Sequence, residues 1–230
     1  MPNKPSLPTR NELKELPLRA IVAYAVRCAR RVQPLFRLVQ LLPEYSKHEA
    51  AVEQAISLAE GFCVGHEVNA TAAAADAAAL AASAAGSAAA RHAFAALRAD
   101  DGTTALAAAR AARAAADVAL SARATALAAG FATGDAALMA AIAAVTRRPD
   151  AALAASGVHC FAAVAATSAA DAAYSARTTA LAIALTSAAT ADYYQLLQSN
   201  LGTYPELGAP IDPTENGPLG TLWPERSPAG

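Results

Sequence analysis

Between Ala70 and Ala191, 60 of 122 residues are alanine, and the same stretch holds no lysine, glutamate or tryptophan. Alanine loses no rotamer freedom on entering a helix, which makes it the best helix former. Its side chain is also the smallest that keeps a Cβ, so alanine-faced helices can approach more closely than leucine-faced ones. The stretch therefore predicts a rigid, tightly packed, all-α body. It leaves few polar groups from which to build an active site.

Helix punctuation divides the chain further. Prolines 2, 5 and 8 predict an irregular arm over 1–9. Thr9 and Glu12 have capping-box spacing for a short helix near 10–15. Pro17 suits the start of a longer helix. Its apolar residues Leu18, Ile21, Val22, Ala25, Cys28, Ala29 and Val32 follow helical spacing, and they predict a buried stripe with Arg19, Arg27, Arg30 and Arg31 largely off it. Pro34 ends or kinks that helix.

Ser46 and Glu49 form a second capping-box pattern, with Gly61 as the expected stop. Asn69 or Thr71 is expected to cap a helix to about Ala99, and Asp100-Asp101-Gly102 reads as a turn. A helix from Thr103 or Thr104 should stop at Gly130. Another should run from Thr133–Asp135 to about Arg148. Residues 151–199 follow Pro149, with a break expected at Ser156-Gly157. The six prolines of 203–230 predict an extended tail, with Ile211, Leu219, Leu222 and Trp223 as candidate pins onto the body. The domain boundaries are thus an arm at 1–9, a helical domain at 10–202 and a tail at 203–230. The domain should hold about six to eight helices packed as antiparallel hairpins.

One internal repeat is visible. Residues 116–128 match 170–182 at ten of thirteen positions. Asp117, Ser121 and Thr125 in the first copy correspond to Asp171, Ser175 and Thr179 in the second, each set on one helical face. Such stripes serve either as a solvated or helix–helix hydrogen-bonding surface or as a paired recognition surface.

The formal net charge is −1, which gives no global attraction to nucleic acid or anionic lipid. The local exception is the Arg27, Arg30, Arg31, Arg37 group. It either pairs with Glu49, Glu53 or Glu60 of the next helix or anchors an acidic partner through bidentate contacts. The uncharged run 151–170 is mostly alanine with Ser156, Gly157 and His159 inside it, so no membrane span is expected. The N-terminus has no apolar run of signal-peptide type, and a cytoplasmic setting is the default expectation.

Candidate chemistry is sparse. Cys28, Cys63 and Cys160 are too few and too scattered for a disulfide framework. Cys63-Val-Gly-His66 has metal-ligand spacing, and His159-Cys160 would complete a Cys2His2 set if the segments met. Adjacent ligands on one helix are awkward, so two buried thiols and two ordinary histidines are the expected reading, with no metal and no cofactor. No nucleophile–base pair, carboxylate pair or glycine-rich phosphate loop stands out, and no enzyme activity is expected.

Leu18–Phe36, with its Cys28-Ala-x-Arg31-Val-x-Pro34 core, resembles the opening helix of a bacterial family of alanine-rich immunity proteins found near polymorphic toxin genes. Ala51–Gly61 is similar to that family's second helix. The proline-rich ends depart from its pattern. The resemblance implies an all-α fold and toxin neutralisation by direct binding. On that basis Arg27, Arg30, Arg31, Asp117, Ser121, Asp171 and Ser175 are the expected partner contacts. A self-associating helical scaffold, forming a homo-oligomer through alanine faces, is the alternative.

Overall fold

The computed structural model describes residues 6–41, 43–66, 79–89, 91, 103–146, 158–175, 179–199 and 201–223; Thr179 is described by backbone only, and in the longest helix side chains are described for 110, 111 and 113–132. The expected turns at 100–102 and Pro149, the caps at Asn69 and Thr71 and the break at 156–157 lie outside these residues. The structure is all-helical, and no strand occurs among the described residues.

The helices are α1 (Arg10–Leu13), α2 (Leu18–Val32), a 3-10 segment (Gln33–Val39), α3 (Tyr45–Val64), α4 (79–89), α5 (Thr103–Thr146), α6 (Val158–Ser175) and α7 (Thr179–Gln198). They pack as a single all-α domain. Helix α2 lies at its centre and touches α3, α5, α6 and α7. Spacing alone predicts one buried stripe on α2, yet the helix is buried on nearly every side, leaving only Arg19 and Arg30 partly exposed. The cause is its small residues: Ala20, Ala23, Ala25 and Ala29 let neighbouring helices close over faces that larger side chains would hold open.

Large apolar side chains concentrate in this early part of the chain. Leu13, Leu16, Leu18, Ile21, Phe36 and Ile56 are all essentially solvent-free. Each contributes about 1.5–3 kcal/mol on burial, against about 0.8 kcal/mol for a single methyl group. The alanine-rich α5 and α6 share the most extensive helix pairing. Buried methyls such as Ala115, Ala122, Ala162 and Ala169 contribute little each but allow close approach along a long contact.

Several boundaries differ from expectation for identifiable reasons. The Thr9–Glu12 capping box forms, with Thr9 N–H donating to Glu12 Oε2 at 2.6 Å and Glu12 N–H to Thr9 Oγ1 at 3.3 Å. The Ser46–Glu49 box does not. Helix α3 starts two residues earlier than that box would place it, behind Glu44 in the left-handed region, and no side chain caps it. Glu49 instead accepts from the Tyr45 hydroxyl at 2.9 Å. Gly61 does not stop α3; the helix runs to Val64 and ends at Gly65, whose φ of +85° is left-handed. His66 N–H then closes back onto the Gly61 carbonyl at 3.0 Å. Gly130 does not stop α5, which continues to Thr146. A single interior glycine costs about 1 kcal/mol relative to alanine, and the buried methyls of Ala128, Ala129 and Ala132 around it offset that cost. The segment expected as one unit over 151–199 is described as two helices, α6 and α7.

The tail is irregular, as its composition predicts, but it is also docked. Its carbonyls satisfy the first orphan amides of α2: Leu18 N–H donates to Glu206 O at 2.9 Å and Arg19 N–H to Leu207 O at 3.0 Å. Its Ile211 N–H caps the Cys63 carbonyl near the end of α3 at 2.9 Å. Gly208, with φ +78°, makes this approach possible, since a Cβ there would lie 2.7 Å from Pro17 Cβ.

Candidate functional site

The structure gives the sequence-predicted arginines a different task from partner contact. Arg27 is fully buried and Arg31 is 3% exposed. Arg27 Nε donates to Asp192 Oδ2 of α7 at 2.9 Å. Its Nη1 reaches the carbonyls of Pro213 at 3.1 Å and Gly220 at 3.0 Å, and its Nη2 those of Leu219 at 3.2 Å and Thr221 at 2.8 Å. Arg31 Nη2 shares the same Asp192 oxygen at 2.7 Å. Arg31 Nε donates to Leu222 O at 2.5 Å. Two guanidiniums on successive turns of α2 therefore clasp the tail by its backbone, with one carboxylate between them.

Arg30 points the other way and ties α2 to α3. It forms a bidentate pair with Glu60 at 2.6 and 2.7 Å and a further contact with Glu53 at 2.7 Å. Arg37 lies 3.8 Å from Glu49. Of the two readings for this group, pairing with α3 glutamates describes Arg30 and Arg37. Neither reading anticipates Arg27 and Arg31. Expected off the apolar stripe and facing a partner, they lie inside the core, because α7 and the tail cover that face of α2.

The repeated stripes are also placed differently. Asp117, Ser121 and Thr125 are buried, not exposed. Ser121 Oγ donates to the Ala165 carbonyl of α6 at 2.9 Å, and Thr125 Oγ1 to Ser121 O at 2.9 Å and Ala25 O at 3.4 Å. The first copy is thus a helix–helix hydrogen-bonding stripe. The copies meet where Ser175 Oγ donates to Asp117 Oδ2 at 3.3 Å. Asp171 is exposed, and the Thr179 side chain lies outside the described residues. Burial raises the Asp117 carboxyl above its ordinary range, against the opposing pull of Arg113 at 3.2 Å.

The cysteine–histidine segments do not converge. Among the described residues, no group of three His, Cys, Asp or Glu side chains is placed to hold a metal ion. Cys63 is buried with its thiol 3.7 Å from the Arg19 carbonyl, and burial pushes its pKa upward. Burial pushes the Cys28 thiol up to about 12, far from a reactive thiolate. His159 is 1% exposed, neither ring nitrogen has a hydrogen-bond partner, and its ring meets Tyr204 edge-on at 5.9 Å. Desolvation, with Arg10 and Lys14 adding to it, lowers its pKa to about 4.

One surface feature does gather polar groups. Helices α4 and α5 enclose a groove of about 260 Å³, lined by Ser83 and Ser87 on one side and by Arg113, Asp117, Leu120 and Arg123 on the other. Gly86 makes the crossing close: a Cβ there would lie 3.4 Å from Ala119 Cβ and 3.5 Å from the Ala116 carbonyl. Arg113 is tied to Asp117. Arg123, only partly exposed, makes no hydrogen bond or ion pair among the described residues. Sequence reasoning singled out neither Arg123 nor the serines as contacts, because single polar residues among alanines carry no signal until a neighbouring helix faces them. Asp192 was missed too. It is the sole charged residue of α7, and a lone carboxylate in an otherwise uncharged helix is the one clue that a cation waits opposite.

Two outcomes follow. Replacing Arg27 by Met leaves the tail carbonyls without donors, and it should cost about 3–5 kcal/mol in urea unfolding. The partly exposed pairing of Arg30 with Glu53 and Glu60 predicts about 1 kcal/mol for Arg30→Met. Trp223, the single tryptophan, should shift to a solvent-exposed emission in native Arg27→Met and not in Arg30→Met. The second outcome concerns pH. His159 is neutral in the fold, but its unfolded form protonates near pH 6.5, so the unfolded state binds more protons between pH 6.5 and about 4. Stability should therefore fall as pH drops through that window, by on the order of 2 kcal/mol. His159→Phe should flatten this part of the profile in thermal melts.

No family model, no curated protein and no solved structure matches this chain.

Proposed function

We propose that this protein is a non-enzymatic binding protein of the immunity type, which neutralises a cognate toxin by occupying its surface. The observation that carries the reading is the α4–α5 groove. It presents a guanidinium with no hydrogen-bond or ion-pair partner among the described residues, Arg123, on a helical scaffold. Arginines held at a rigid surface are favoured anchors in protein interfaces because they form planar, bidentate contacts that tolerate desolvation. The likeness of 18–36 and 51–61 to immunity proteins supports the toxin-directed form of the reading. The surface contacts first expected at Arg27, Arg30 and Arg31 move to this groove, since those three are engaged within the fold.

Self-association is the second reading, and a separate observation favours it. Helix α7 packs on α6 and α2 and exposes Ile183 at 58%, Tyr194 at 55% and Leu197 at 38% on its outer side. Apolar side chains in such a row suit a second copy of the chain.

Site-specific photo-crosslinking separates the two. A photoreactive amino acid at position 120 should trap a different protein in one-to-one ratio, and adding the purified chain should abolish that partner's catalytic activity. Crosslinks from position 183 to a second copy, with none from position 120 to another protein, would instead establish the scaffold reading.

A further inference from the structure

The groove has a chemistry narrower than protein binding in general. On α5, Arg113, Asp117, Leu120 and Arg123 all line the groove, and positions 113 to 123 span about 15 Å of helix. Its two cations are not equivalent. Arg113 bridges to Asp117 at 3.2 Å while keeping its side chain 69% exposed, so its remaining donors face outward. Arg123, ten residues further on, has no counter-charge among the described residues. Asp117 itself is buried beneath them and held by Arg113 and Ser175. The surface that remains carries positive charge at both ends, with the 40% exposed Leu120 between. Ser83 and Ser87, one turn apart on α4, line the opposite wall with hydroxyls. Leu80, one turn before Ser83 on α4, is a further apolar side chain, 71% exposed.

Resting on the binding-protein reading, we propose that this groove receives a short acidic segment of the partner protein, with carboxylates on Arg123 and Arg113 and an apolar side chain on Leu120. A span of about 15 Å fits about five residues of extended chain. Charge complementarity selects the occupant. The two guanidiniums offer donors to carboxylates, the serine hydroxyls donate or accept, and the leucine rewards an apolar residue between them. A nucleic acid fits less well, because the lining offers no aromatic ring on which a base could stack.

The test uses the full chain and a fluorescein-labelled eight-residue peptide of alternating glutamate and leucine, read by fluorescence anisotropy. The peptide should bind, more weakly as salt rises, and at least about tenfold more weakly to Arg123→Glu. Arg123 makes no hydrogen bond or ion pair among the described residues, so this variant should keep the wild-type melting temperature. Arg37→Glu alters a cation 72% exposed on its side chain and outside the groove, and should bind the peptide within about twofold of wild type. Equal binding of the glutamine–leucine counterpart would overturn the proposal, as would an equal loss in both charge reversals or no binding at all. Tighter binding of a single-stranded oligonucleotide, lost in Arg123→Glu, would reassign the groove to nucleic acid. If a partner is captured and its binding survives Arg123→Glu, the groove proposal falls while the binding-protein reading stands.

Discussion

The fold depends on a buried guanidinium that reads backbone carbonyls. Arg27 has lost all contact with water, and an ion in that position is stable only if every donor finds a partner. Asp192 supplies one formal negative charge, but it is shared with Arg31. The two cations and one anion leave a net positive charge in the core. The balance comes from carbonyl dipoles of 213–222, gathered around the arginines because the tail turns back on itself there. Without the tail, the centre of the molecule would hold an uncompensated charge. A proline-rich segment that looks like an appendage therefore completes the core.

Alanine explains why the clasp is needed. Helices faced with methyl groups pack closely but gain little per residue, so α5 and α6 hold together through extent of contact more than through large anchors. Most residues with real apolar volume sit on α1, α2 and the segments around them, with Leu185 and Leu196 of α7 as later anchors. Specific polar ties then fix register between otherwise uniform surfaces. Ser121 reaches the Ala165 carbonyl, Thr125 the Ala25 carbonyl and Asp192 both arginines of α2. In a wall of alanines, each such tie marks one position along a helix that could otherwise slide.

The helical class, the Thr9 cap and the start of α2 behind Pro17 were legible in sequence, because they rest on local propensity and short-range spacing. Boundaries governed by glycine were not. Gly61 and Gly130 sit inside helices because packing by neighbours outweighs a small intrinsic cost, whereas Gly65 ends one. The candidate site failed in an instructive way. Arg27 and Arg31 carry the same local signal as Arg30, yet only a distant segment, nearly 200 positions away in sequence, decides which of them are buried. The Asp117 stripe was correctly seen as a polar helical face, but its partner helix could not be identified from one chain. The α4–α5 groove left almost no trace, since it arises from the crossing at Gly86 and not from any motif.

The central claim is that the tail belongs to the same cooperative unit as α2. Native-state hydrogen exchange measures this directly, because it resolves the free energy of opening segment by segment. The amides of Ile211, Gly217 and Gly220 are hydrogen-bonded in the docked tail. They should exchange with the same opening free energy, and the same denaturant dependence, as the amides of α2. Exchange of the tail through a small local opening while α2 stays protected would contradict the account and return the tail to the status of an appendage.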